Sequence, residues 1–244
     1  MKKIISLFVL VFVSTLGFGQ HKEITLYYPN DSTKVVSISG LDSMSIFICG
    51  ASKVSYGGKD YNTVLIGNQC WLKENLNVGS QILHGQWSGN NSTIEKYCYN
   101  DLLPNCETYG GLYLWDEAMQ YVTTEGAKGI CPDGWHMPTE ADVQTLISFT
   151  VNNGNALKRE DQGTGPGQGN NTSGFSFLLG GGKEYSGGYY SGLGEVGRIY
   201  LGKNGSCGYD CVYSFEVYGN NSTIFFSGGT MPSWGMGVRC IMDN

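Results

Sequence analysis

Charge is scarce in this chain. Only 15% of its 244 residues are Asp, Glu, Lys or Arg, and they sum to a net charge of −6. A surface so poor in cations, with a pI of about 5.0, repels phosphate backbones. That excludes nucleic acid as a partner and disfavours anionic membrane. Histidine is scarcer still, limited to His21, His84 and His136. No two cysteines stand as Cys-x-x-Cys, so the tight pairs or Cys/His clusters that zinc wants are missing. Proline numbers 6, and the 37 glycines follow no strict period, which excludes collagen and points to many turns and bulges. No segment after the first twenty residues is apolar enough to span a bilayer. Gly180-Gly181-Gly182-Lys183 is followed by Glu184 rather than Ser or Thr, so it is not read as a phosphate loop.

What is present begins with Lys2 and Lys3, an apolar run from Ile4 to Leu16, and small residues at Gly17-Phe18-Gly19. That three-part pattern reads as a secretory signal peptide over residues 1–19. Export gives the 8 cysteines their first reading, as disulfides. The 41% hydrophobic content suffices for a real core. The expected organisation is a short N-terminal β segment or spacer over 20–50 and one domain over 51–244. The lead segment offers strands at Ile24–Tyr28, Val35–Ile38 and Met44–Ile48, and it is a candidate for self-assembly by strand pairing.

In the main domain, Tyr61–Ile66 and Gln69–Leu72 read as strands, and Phe175–Leu179 as a later one. Cys98 and Cys106 bracket a Pro/Asn turn and are paired on that basis. Trp115, Ala118, Met119 and Val122 recur at helical spacing and predict a helix with one buried stripe. A second helix is expected after Pro138, capped by Thr139 with Asp142 three residues on, and with Val143, Leu146, Ile147 and Thr150 facing inward. The stretch Gly129–Thr139 is then the entry corner of that helix, with Trp135 packed and His136 in a packing role.

Six segments in order carry a family resemblance: Val64–Leu76, Tyr109–Met119, Cys131–Thr139, Gly154–Lys158, Ser173–Ser176 and Gly237–Ile241. Together they resemble the Fibrobacter succinogenes major paralogous (FISUMP) domain. The resemblance implies an exported protein of Bacteroidetes or Fibrobacteres type, placed outside the cell, on its surface or in the periplasm. It also implies a wider likeness to the C-type-lectin-like and formylglycine-generating-enzyme fold. The expected class is α+β, a twisted antiparallel sheet with two flanking helices, loop-rich and stapled by disulfides. That fold would bridge Cys131 to Cys240, with Cys207–Cys211 as a local clip and Cys49–Cys70 as the remainder. The chain departs from the family at Gly197–Gly202, where a Trp-Ser-Ser-Thr-like strand would stand, so its C-terminal loops take no ligand by analogy.

Those loops are rich in Tyr, Gly, Ser and Asn. Tyr189, Tyr190, Tyr200, Tyr209, Tyr213, Tyr218 and Trp234 offer large rigid contact area, and the small residues offer adaptable hydrogen bonding. The expectation is a non-catalytic surface binding or adhesion protein whose partner is a glycan or a surface protein. The alternatives are a structural or accessory subunit of a surface assembly, and an enzyme of the formylglycine-generating branch working through Cys207 and Cys211. Calcium is the one cofactor left open: Asn100, Asp101 and Asn105 offer clustered hard oxygens, and Asp116 and Glu117 lie near a helix start.

Overall fold

A computed structural model describes residues 23–27, 33–37, 47–184, 189–205 and 211–243. The signal peptide expected over 1–19, residues 44–46, Cys207 and Tyr209 lie outside them. The chain divides into two compact units, Met1–Phe47 and Ile48–Asn244. In the first, β1 (Glu23–Tyr27) pairs antiparallel with β2 (Thr33–Ser37), Ile24 opposite Val36. The strand expected over Met44–Ile48 does not reach Phe47 and Ile48, which are irregular.

The second unit is rich in sheet and sparse in helix. β3 (Lys53–Tyr56), β4 (Lys59–Ile66) and β5 (Gln69–Leu72) form an antiparallel meander. The two-residue strands β6 (Ser80–Gln81) and β7 (Glu95–Lys96) pair beside a long loop. After α1 (Leu103–Tyr109) and α2 (Trp115–Ala118), β8 (Trp135–His136) leads into α3 (Glu140–Phe149). A hairpin of β9 (Gly180–Lys183) and β10 (Tyr190–Leu193) follows. Then come β11 (Val196–Asn204), β12 (Val212–Tyr218) and β13 (Ile224–Thr230), which make a three-stranded sheet in that order. β14 (Ile241–Met242) returns to sit between β5 and β8, completing a five-stranded sheet.

Burial in β4 alternates at first, with Tyr61 and Thr63 buried and Asn62 facing out, and then changes sides, Leu65 being exposed and Ile66 buried. All four residues of β5 are buried, as befits a strand covered on both faces. One core joins Tyr61, Leu72, Trp115, Met119, Trp135 and Tyr200; a second joins Trp71, Val143, Leu146, Phe175, Phe177 and Phe215. Disulfides Cys49–Cys70, Cys98–Cys106 and Cys131–Cys240 are present as expected, and Cys211 is disulfide-bonded as well.

Three elements differ from expectation. The helix at Trp115 is a single turn: Gln120 and Tyr121 adopt left-handed backbone (φ 50° and 59°), which ends it, and Val122 is exposed. The turn expected between Cys98 and Cys106 contains a helix instead, α1, with Pro104 in its first turn where a missing N–H costs nothing. Phe175–Leu179 is not a strand, because Ser176 is left-handed (φ 56°); Phe175 and Phe177 both turn inward around it, and the strand forms at Gly180–Lys183. The entry corner behaves as read. Thr139 accepts from the Asp142 backbone N–H while the Asp142 carboxylate accepts from that of Thr139, a complete capping box.

Candidate functional site

The sheet β11–β12–β13 positions the most developed site. Its register sets Arg198 opposite Glu216, Glu216 opposite Phe225, and Val196 opposite Tyr218. Successive side chains point to opposite faces. Ile199, Phe215 and Val217 therefore enter the core, while Arg198, Glu216, Tyr218 and Phe225 share the other face.

Glu216 organises that face. Its Oε2 accepts from Arg198 Nε at 3.3 Å and from Tyr218 Oη at 3.0 Å, and its Oε1 accepts from Ser214 Oγ at 3.4 Å. The guanidinium also lies 5.7 Å from the Trp234 ring centroid. Burial, followed by the Glu216 charge, raises the Tyr218 phenol above its ordinary pKa. One group is left over. Arg198 Nη1 is buried and has no acceptor among the described residues. It lies beneath Gly192, where an added Cβ would come within 3.7 Å of it. Beside it opens a cleft of about 470 Å³ lined by Thr164, Ser191, Glu195, Arg198, Tyr218 and Asn220.

Lys158 holds the far wall of this cleft. Its fully buried Nζ donates to Tyr218 O at 2.5 Å and to Asn221 O at 2.8 Å, fixing the turn that follows β12. Burial lowers its pKa to about 8. No carboxylate pairs with it among the described residues.

The structure distributes the expected aromatic residues among several places. Tyr218 and Trp234 gather at Arg198. Tyr200 does not join them: it is 0% exposed, and its hydroxyl donates to Trp234 O, with the carbonyls of Met231 and Pro232 also within reach, so it belongs to the core. Tyr213 is half-buried under Lys203 and packs on Phe226 at 5.2 Å. Tyr189 is 71% exposed. Tyr190 packs on Tyr99 with the rings tilted, centroids 5.2 Å apart, and donates to Asp101 Oδ1 at 2.7 Å. Tyr209 lies outside the described residues.

Of the calcium candidates, Asp101 and Asn105 are engaged with protein groups. The Asp101 carboxylate accepts from the His84 backbone N–H at 3.0 Å, meets His84 Nδ1 at 2.7 Å and takes the Tyr190 hydroxyl, while Asn105 turns its amide to Tyr99 O. Burial opposes ionisation of Asp101, but these donors outweigh it and hold its pKa below the usual value. Glu117 is 1% exposed and accepts from Glu95 N, Gln120 Nε2 and Tyr121 Oη, and burial raises its pKa. Among the described residues no group of three or more His, Cys, Asp or Glu could hold a metal ion. His136 bridges Asp142 (3.3 Å) and Asp243 (2.6 Å), tying the chain end to the start of α3. Lys183, 1% exposed, points its ammonium at the rings of Trp87 (5.2 Å) and Tyr97 (4.5 Å).

Arg198, Glu216 and Phe225 are the site residues that sequence reasoning passed over. A signal existed: Glu216 is the lone charge of its strand, between Phe215 and Val217, and Arg198 stands between Gly197 and Ile199 in a strand whose other charge, Lys203, lies near its far end. What the sequence could not show is the register that puts them side by side.

A family model, the Fibrobacter succinogenes major domain, matches residues 64–241. No curated protein and no solved structure matches the chain.

Proposed function

The chain belongs to the Fibrobacter succinogenes major domain family, and from that premise we propose an exported, non-catalytic binding protein whose contact surface is the outer face of β11–β13 and the adjoining hairpin. One observation carries this reading. Arg198 and Tyr218 line one cleft, Glu216 and Trp234 hold the Arg198 guanidinium beside it, and one guanidinium N–H is left without an acceptor. A cleft with a few convergent polar groups is where a ligand is held. Three disulfides are compatible with export, and no described helix is long and apolar enough to cross a membrane. Titrating the mature protein with polysaccharides and solubilised surface fractions tests the proposal. Saturable binding that Arg198→Ala weakens at least about tenfold is expected, from loss of a charged hydrogen-bonding group. Binding that ignores this substitution would place the site elsewhere.

The proposal extends to a C-type-lectin-like fold, supported by the return of β14 onto β5 and by the Cys131–Cys240 staple. Superposition of an experimental structure on that fold checks it.

A surface-assembly role is the second reading, favoured by β13. This seven-residue strand pairs only with β12 among the described strands and carries no charged residue or proline, the usual guards of an open edge. Light scattering across a concentration series distinguishes the two: a constant monomer mass speaks against assembly.

A further inference from the structure

We propose, resting on that binding reading, that the ligand is a neutral saccharide presenting adjacent hydroxyl groups, gripped by the cross-strand row Arg198–Glu216–Phe225. Nothing in the resemblance supplies this row, since all three residues lie outside the six matching segments.

Charge decides the class. The guanidinium of Arg198 is already matched by the Glu216 carboxylate at 3.3 Å, and Glu195 also lines the cleft. With Lys158 behind the wall, two cations are balanced by two carboxylates, and the Lys158 ammonium is taken up by two carbonyls. An acidic sugar or a phosphate gains no net attraction there, in surroundings that screen charge less than bulk water does. A polyol needs none. Each hydroxyl both donates and accepts, so one can accept from the guanidinium while its neighbour donates to Glu216. The groups are pre-ordered for this. The Arg198 and Glu216 side chains are only 13% and 15% exposed, and Tyr218 and Trp234 fix them from either side. The unpaired Nη1 carries a desolvation penalty in the free protein, which an acceptor removes on reaching it through a small shift of the Gly192 backbone that covers it.

The apolar side of a sugar ring needs an aromatic partner. Phe225 is 48% exposed and stands in the same row, its ring set edge-on to Tyr218 at 5.0 Å. A large apolar ring left half in water beside a polar pair suits a ligand with one apolar and one hydroxylated aspect. The cleft beside this row, lined by its Arg198 and by Tyr218, has a volume of about 470 Å³, within the range of small-ligand sites; Glu216 and Phe225 adjoin it through Tyr218. A purely structural Arg–Glu pair would account for the ion pair. It would account neither for the unpaired Nη1 nor for the exposed ring.

The test is isothermal titration of the mature protein with two arms of soluble polysaccharide: neutral (xylan, mannan, laminarin) and acidic (alginate, polygalacturonate). Binding in the neutral arm is expected, weakened about tenfold by Arg198→Gln and about fivefold by Phe225→Ala. Near-UV circular dichroism confirms that each variant is folded. If Arg198→Gln fails to fold, Phe225→Ala, altered at an exposed ring, decides alone. Preference for the acidic arm, or neutral binding indifferent to both substitutions, overturns the inference. Failure of both arms alongside Arg198-dependent capture of a surface protein also overturns it, and leaves the binding reading standing. With no ligand in any arm or surface fraction, both fall.

Discussion

Arg239 shows how a single buried cation can organise distant segments. It is 0% exposed, and its Nε donates to Asn75 Oδ1 at 3.0 Å while Nη1 donates to Phe175 O at 2.6 Å. Phe175 and Phe177 flank the guanidinium with ring centroids at 4.3 and 5.0 Å. Burial lowers its pKa to about 9, so it stays charged at neutral pH. Removing one partner of such a buried charge is costly. Asn75→Ala is expected to destabilise the protein by about 2–3 kcal/mol in denaturant unfolding, and an unchanged midpoint would contradict that role. Lys183 should behave in the opposite way. It has two aromatic rings and no hydrogen-bond acceptor among the described residues, and burial depresses its pKa. Lys183→Met should therefore leave the melting temperature unchanged or raise it; a marked fall would show that the cage itself is stabilising. At His136, the hydrogen bond to Asp142 and then that to Asp243 outweigh burial and raise the imidazole pKa. A raised folded pKa means that the stabilisation is complete below the unfolded value, about 6.5, and fades as pH rises through the folded value. The melting-temperature deficit of His136→Ala should thus be larger at pH 5.5 than at pH 8.5. An equal deficit at both would mean that the ion pairs contribute nothing.

At the scale of elements, Cys131–Cys240 closes the longest loop of the three described disulfides, with a sequence separation of 109. Replacing both cysteines by alanine should cost up to about 4–5 kcal/mol, the upper figure of the loop-entropy model. A loss below about 1 kcal/mol would mean that the β5–β14–β8 ladder holds the corner unaided. The tether at Lys158 makes a finer prediction. In Lys158→Met, amide exchange at Gly219–Asn221 should accelerate while that of α3 stays as in the parent, because only the turn loses its anchor. These elements were unevenly legible in the sequence. The start of α3 was plain, since Thr139 and Asp142 state their capping roles in their spacing. The helix at Trp115 was over-read because its apolar period continues to Val122, whereas the backbone reverses at Gln120 and Tyr121. The strand at β9 was hidden by its own glycines. They are needed because the hairpin leaves no space for side chains: a Cβ on Gly181 would lie 2.4 Å from Ser191 O. No local pattern signals such a close approach of two backbones.

For the second unit as a whole, scaffold and candidate site occupy different parts of the sequence. The segments that carry the family resemblance meet in the interior: Asn75 and Arg239 in one buried network with Phe175, Trp135 and Cys131 in the first core, and Lys158 behind the cleft. Arg198, Glu216 and Phe225 fall between those segments and share the other face of their sheet, so the family was readable from the motifs while the make-up of this face was not. Register is a property of paired strands and is absent from any one of them. Glycine at 182 and 192 lets the β9–β10 hairpin lie close over Arg198, while Lys183 on the opposite face of β9 is turned to Trp87 and Tyr97. The hairpin therefore stands between the cleft and the aromatic cluster around Asp101. Hydrogen-exchange footprinting of the mature protein with and without a bound neutral polysaccharide tests the placement of the ligand most directly. New protection confined to 191–198, 216–220 and 224–226 is the predicted result. Protection centred on Trp87, Asp101 and Tyr189, with the β11–β13 face unchanged, would contradict it.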